Sequence, residues 1–198
     1  MKKTNQKERS LQSKTILLIL TGSIAIYKSG DLIRALQAQG ARVICVMTES
    51  AKKFITPLTI RTLSREMVYH DFFSWETPHG VVHVSLAEAA DLILAAPASA
   101  NFIARLAAGL ADDLAACLVL AAKKPVVIVP AMNDAMYLHP LTQMNIQKLK
   151  EIGYRFVGPI EGPLADGRKA VGHIADNQAI VQTLEDLLAR PVAGTRQT

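Results

Sequence analysis

Cysteine is scarce in this sequence: Cys45 and Cys117 are the only two among 198 residues. A disulfide framework is therefore excluded as a source of stability. Each thiol sits in an apolar run, Val43 to Met47 and Ala115 to Leu118, the setting of a buried structural thiol in a reducing compartment. No apolar stretch approaches the ~18–20 residues that span a bilayer, and the N-terminus lacks the apolar core of a secretory signal. A cytoplasmic chain with no membrane partner is expected. Basic charge is missing where a nucleic-acid partner would need it. The net charge is +5, but Lys2, Lys3, Lys7, Arg9 and Lys14, against Glu8 alone, supply most of it within residues 1–14. The remainder is nearly neutral, which argues against a nucleic-acid footprint. The dinucleotide fingerprint G-x-G-x-x-G does not follow the first apolar run and no Walker A pattern occurs, which disfavours dinucleotide and nucleoside triphosphate ligands.

What the sequence does have is apolar residues, at 50% of the chain. That suffices for one core, and a single domain over residues 15–190 is expected, flanked by flexible tails at 1–14 and 191–198. Four short apolar runs stand out: Ile16 to Leu20, Val43 to Met47, Leu92 to Ala95 and Val126 to Val129. Their lack of alternation marks strands covered on both faces, as in a parallel sheet flanked by helices. Between them, Ile24 to Gln39 reads as a helix stopped at Gly40. Leu58 to Leu63 reads as a short helix opened by Thr56 and Pro57. Ala100 to Ala122 reads as two helices, divided near Gly109 and restarted at Asp112 and Asp113. Further helices are expected from Pro140 to about Ile152 and from Ala179 to Ala189. The repeating β-α order predicts a three-layer, doubly wound α/β fold. Gly158 to Asp176, rich in glycine and proline, is expected to be a functional flap.

Ligands of open parallel sheets bind at the carboxyl ends of the strands. The first such turn, Thr21-Gly22-Ser23-Ile24, offers backbone N–H groups and a hydroxyl to a single phosphate. The third run opens onto Pro97-Ala98-Ser99-Ala100-Asn101. The fourth opens onto Pro130-Ala131-Met132-Asn133-Asp134-Ala135-Met136-Tyr137. Asn101 reads equally well as a helix cap, whereas capping explains Asn133 less well. His79 and His83 are four apart, but Pro78, Gly80, Val81 and Val82 disfavour a helix there, and no metal site is expected. His70 and His139 read as surface or packing residues; His173, inside the flap, is a candidate substrate contact.

Together, Pro97 to Asn101, Pro130-Ala131-Met132-Asn133 with Met136, and His83-Val84-Ser85-Leu86-Ala87 resemble the flavin-dependent cysteine decarboxylases. That family includes the phosphopantothenoylcysteine decarboxylases of coenzyme A biosynthesis and the lantibiotic peptidyl-cysteine decarboxylases. The resemblance runs from about Thr15 to Leu188. It implies a Rossmann-like flavoprotein that surrounds FMN with Gly22, Ser23, Ile24, Thr48, Ser50, Ser99, Ala100, Asn101, Phe102 and Ala131. His83 corresponds to the family's active-site histidine and Asn133 to its carboxylate-binding asparagine, with Met132 and Met136 beside the substrate. A small-molecule or peptide cysteine substrate is implied, and a homotrimer or assembly of trimers with FMN at a subunit boundary. No second synthetase domain follows, so a free-standing form is expected. Tyr137 stands where the family usually has tryptophan. Asp166 stands where the coenzyme A enzymes carry the cysteine of the last half-reaction, the reduction of the enethiol. With an ordinary pKa of ~3.9, only about one such carboxyl in a thousand is protonated at pH 7. Asp166 therefore serves as a donor only if burial raises its pKa.

Overall fold

The computed structural model describes residues 10–72 and 82–189. The four apolar runs form the centre of a six-stranded parallel sheet. Its strands are β1 (Thr15–Leu20), β2 (Arg42–Met47), β3 (Val68–Tyr69), β4 (Leu92–Ala98), β5 (Val126–Pro130) and β6 (Arg155–Phe156), in the order β3-β2-β1-β4-β5-β6. Chain order reverses direction between β1 and β4, so the loops after them part and leave a crevice at the carboxyl edge.

Alternation along each strand sorts side chains to the two faces of the sheet. Ile16, Leu18, Leu20, Val43, Cys45, Leu92 and Leu94 point to the face covered by α1 (Ser29–Ala38), α2 (Pro57–Ser64) and α8 (Asn177–Ala189). Leu17, Ile19, Ile44, Val46, Ile93 and Ile128 point to the other face. There they meet α3 (Val82–Ala89), α4 (Ala100–Ala108), α5 (Leu114–Ala121) and α7 (Pro140–Glu151). Both sets are buried, which is why the runs show no polar alternation; each large aliphatic side chain so buried contributes about 1.5–3 kcal/mol. Thr56 caps α2 through a hydrogen bond from Thr59 N, and Pro57 opens it. The alanine-rich region is two helices, the first ending at Gly109 and the second capped by Asp113. This is the Rossmann-like three-layer arrangement expected from the β-α order.

Several details differ from the expectations. The segment after Ser23 is a 3-10 helix at Ile24–Lys28 followed by α1, because Ser23 caps a tight first turn before the chain settles into α geometry. Strands β3 and β6 are two-residue edge strands, too short to show a pattern. The expected N-terminal tail is folded from residue 10: Leu11 is fully buried and its N–H bonds Gln39 O. Cys45 is buried, but Cys117 is only half-buried because α5 turns that position toward the helix edge. A helix does occur at His83, beginning at Val82; His79 lies outside the described residues. The flap is not an irregular loop but carries an antiparallel hairpin of β7 (Ile160–Pro163) and β8 (Lys169–His173). Glycine and proline hid it, since only Ala170 and Val171 give its second strand an apolar signature.

Candidate functional site

The turn after β1 is pinned to three neighbouring turns. Thr21, only 1% exposed, donates from Oγ1 to Pro97 O at 2.7 Å and accepts from Ser99 N at 2.9 Å. Pro97 falls where the β4–β5 register shifts, so its carbonyl is free to be used sideways. Ser23 Oγ donates to Ala131 O at 2.9 Å, and Ala131 N donates to Ala98 O. Gly22 lies so close to the turn after β2 that a Cβ there would come within 2.4 Å of Ser50 Cβ. We expect Thr21→Val to destabilise the fold by about 1–3 kcal/mol in urea denaturation, because the Ser99 N–H would lose its buried partner.

Two cavities flank this turn. The first, about 240 Å³, holds Gly22, Thr48, Ser50, Ser99, Asn101 and Phe102 of the expected cofactor set. It adds Thr21, His70 and Arg105, and Arg105 is tied to Asp112 at 2.6 Å and Asp113 at 3.2 Å. Ser99 caps α4 by accepting from Phe102 N, so a helix N-terminus opens on this cavity; among the described residues Asn101 is not the cap. His70 Nδ1 is buried there with no partner among the described residues. Hydroxyl donors, a helix N-terminus and an unpaired ring nitrogen suit a phosphate-bearing polar chain.

The second cavity, about 400 Å³, lies beneath the hairpin. Ser23, Ile24 and Ala131 line it, so the expected cofactor set is divided between the two spaces. With them stand Met132, Asn133, Asp166, Lys28 and His173. Asn133 does cap a helix, contrary to the sequence expectation: its Oδ1 accepts from Ala135 N at 2.9 Å at the start of α6 (Asp134–Leu138). A five-residue helix was too short to announce its cap. The cap has a second effect, because locking Oδ1 turns Nδ2 outward, where it donates to Asp166 Oδ2 at 3.4 Å. The hairpin closes tightly on this segment. Met132 N donates to Gly172 O, and a Cβ on Gly172 would lie 2.2 Å from Met132 O.

Asp166 is not raised by burial. Arg168 donates to it from its backbone N–H at 3.1 Å and from Nη2 at 2.8 Å, and the same guanidinium grips Asp134 at 2.8 Å. The Arg168 hydrogen bonds hold both carboxyls below the usual carboxylate range. Asp166 is therefore an ionised acceptor at neutral pH. Its negative charge is offset by the adjacent guanidinium. Elsewhere, burial pushes the Cys45 thiol up to about 12 and makes it inert.

Ala100 and Met136 lie apart from both cavities, along an open groove shared with Asn101 and His139. His83, on α3, meets Phe72 edge-on at 6.0 Å and lines none of these three spaces. The structure thus joins Asn133 to Asp166 but not to His83 within one chain. Sequence reasoning missed Thr21, Lys28 and Arg168; the signal for Arg168 was a guanidinium two residues beyond Asp166 in the flap.

A family profile described as Flavoprotein matches residues 4–189. The chain belongs to the flavoprotein family. This flavoprotein is 43% identical over 178 residues to a probable phosphopantothenoylcysteine decarboxylase of Streptococcus mutans, covering 89% of this chain and 99% of that one. It is 45% identical over 175 residues to the coenzyme A biosynthesis bifunctional protein CoaBC of Bacillus subtilis. That match covers 88% of this chain and 43% of the relative, so the flavoprotein spans less than half of the bifunctional protein. Among solved structures it resembles a PPC decarboxylase variant complexed with pantothenoylaminoethenethiol, with TM-score 0.82, 31% identity and coverage of 90% and 100%. The FMN-dependent cysteine decarboxylase SpaF gives TM-score 0.81 at 32% identity, covering 91% and 99%.

Proposed function

We propose that this flavoprotein is an FMN-dependent decarboxylase of a cysteine-derived carboxylate, of the phosphopantothenoylcysteine decarboxylase kind. The observation that carries the proposal is the oriented amide of Asn133. Its Oδ1 is committed to the α6 cap, and its Nδ2 already faces a carboxylate, that of Asp166, at the rim of the larger cavity. The relatives named above support the same chemistry.

The residues around the smaller cavity fit the phosphate-bearing end of FMN, with Gly22, Thr48, Ser50 and Ser99 the groups to hold it. Bound there, FMN supplies a two-electron acceptor. The need for one is chemical. A cysteine carboxylate has nowhere to put the electron pair left by CO₂, and oxidation at the thiol-bearing carbon to a thioaldehyde creates that acceptor. Asn133 Nδ2 orients the departing carboxylate, and the hairpin keeps water away from it. The imidazole of His83 takes up and returns the thiol proton, contributed from a second copy of the chain. The sequestration of His83 from both cavities favours such an assembly, a homotrimer or a set of trimers. So do exposed apolar side chains, among them Ile24, Tyr27, Leu141 and Met144. Light scattering at micromolar concentration is expected to give three or a multiple of three chains, and a monomer would overturn this part.

Among the described residues no helix is long and apolar enough to cross a membrane. Our proposal adds a cytoplasmic setting, in which Cys45 and Cys117 stay reduced. The decisive experiment mixes the purified yellow protein with phosphopantothenoylcysteine, or with a peptide ending in cysteine, in the absence of oxygen. Bleaching of the flavin absorbance together with release of CO₂ is expected. A colourless protein that fails to take up added FMN would sink the proposal.

A further inference from the structure

Asp166 stands at the tip of the hairpin, in a turn closed by two backbone bonds, Leu164 N to Arg168 O at 2.8 Å and Gly167 N to Leu164 O at 3.0 Å. Gly167 permits this closure, with φ at +84°. The tip is tied to α6 by the Arg168 guanidinium. It donates to Asp166 Oδ2 from Nε at 3.0 Å and Nη2 at 2.8 Å, and to Asp134 from Nη1 at 3.2 Å and Nη2 at 2.8 Å. Four of its five N–H donors are thereby used. The result is a carboxylate delivered to Asn133, whose Nδ2 donates to Asp166 Oδ2 at 3.4 Å.

The amide assigned to the substrate carboxylate thus faces, in the ligand-free chain, a carboxylate of the protein itself. Both residues line the larger cavity. The amide cannot turn away, because Oδ1 is committed to Ala135 N. A ligand carboxylate on the remaining Nδ2–H shares one nitrogen with a second acid, which weakens both bonds; otherwise it displaces Asp166. Displacement is easy. The contact is long and open to solvent, and Oδ2 gives up one of three donors while Oδ1 keeps the Arg168 backbone N–H at 3.1 Å. No charged oxygen is left bare by the exchange. Arg168, engaged with two acids, has no open fork for the newcomer. The other polar pair on the wall, Lys28 Nζ and His173 Nε2 at 2.7 Å, bonds within itself.

We infer that Asp166 is an internal competitor for the carboxylate of the substrate. It occupies Asn133 in the empty site, yields it when a carboxylate ligand enters and reclaims it once CO₂ has left. Resting on the decarboxylase reading, this makes Asp166 a specificity-determining residue: it weakens the carboxylate substrate and leaves its decarboxylated product untouched. A cysteine at this position has no such effect, since a neutral thiol is a weak acceptor.

The test uses two ligands that lack the thiol and so do not turn over, phosphopantothenoylserine and its ethanolamine counterpart without the carboxylate, in calorimetry on the FMN-loaded protein. Asp166→Ala is expected to tighten the first by about threefold to tenfold and to leave the second unchanged. In an Asn133→Ser background, which keeps a helix cap without the amide, the same change loses most of its effect. Arg168→Gln makes Asp166 depend more on Asn133 and weakens the carboxylate ligand, whereas a merely loosened hairpin moves both variants the same way. Independently of these ligands, titration with acetate moves the ¹⁵N–¹H signals of the Asn133 side-chain amide, at a concentration about threefold to tenfold lower in Asp166→Ala than in the unaltered chain. If acetate distinguishes the two chains but neither ligand binds, the decarboxylase reading fails and the competitor stands. If acetate acts equally on both, if Asp166→Ala tightens both ligands alike, or if Arg168→Gln also tightens the carboxylate ligand, the competitor is overturned.

Discussion

His83→Asn is expected to lower turnover by about 10²–10⁴-fold, the ordinary weight of a positioned acid or base, while FMN stays bound. The two halves of this expectation come from one observation. His83 lies on α3, lines neither cavity and makes an edge contact with Phe72, so its loss disturbs none of the groups assigned to the cofactor. If His83 serves a neighbouring copy, mixed assemblies give a sharper readout. An inactive His83→Asn chain assembled with an inactive Asn133→Ala chain should regain activity, because some boundaries then combine an intact His83 with an intact Asn133. Flavin content measured by absorbance separates this from a structural role. Loss of FMN together with activity would mark His83 as a scaffold residue.

The second large effect concerns the product. The chain as it stands is expected to release the enethiol and to recycle its flavin with oxygen, because Asp166 offers no proton at neutral pH. Arg168 lowers the folded pKa of Asp166 below its unfolded value. The stabilisation associated with this carboxylate is thus fully present above the ordinary carboxylate pKa of ~3.9 and is lost as pH falls through the lowered value. No neutral or mildly acidic condition turns Asp166 into a donor. Asp166→Cys replaces the carboxylate with a thiol, which can donate, and should move the product to the saturated thiol, two hydrogens heavier by mass spectrometry. The substitution also frees Asn133 Nδ2 and leaves Arg168 with Asp134. KM for the carboxylate substrate is expected to change as well. Saturated thiol from the unaltered chain would show that another group does the work assigned to the missing cysteine.

The central sheet is legible in the residues because burial on both faces leaves an unbroken apolar run, as at Ile16 to Leu20. Caps such as Thr56 and the break at Gly109 are legible because local hydrogen bonding decides them. The edge strands Val68–Tyr69 and Arg155–Phe156 are not, since two residues carry no period and their pairing is imposed by neighbours. Within the site, Asn133 and Asp166 are found through their motifs. The bond between them and the double grip of Arg168 depend on how a hairpin folds back across more than thirty residues. Thr21 sits in a turn whose phosphate character drew attention to Ser23, and only its burial reveals it as the tie between two loops. Lys28 gives no sign at all until β8 delivers His173 to it.

The hairpin of Ile160–Pro163 and Lys169–His173 pairs only with itself, outside the six-stranded sheet. Raising it breaks, among the described residues, one backbone bond from Met132 N to Gly172 O, the half-buried contact of Lys28 with His173, and the exposed contacts of Arg168 and Asp166 with α6 and Asn133. Amide hydrogens of the hairpin should therefore exchange with deuterated solvent through a local opening, while those of Leu17, Ile93 and Ile128 wait for global unfolding. Because the guanidinium contacts face solvent, added salt should hasten the first exchange and leave the second unchanged. The residence time of a ligand beneath the hairpin then becomes a function of ionic strength, set apart from the thermal stability of the molecule that holds it.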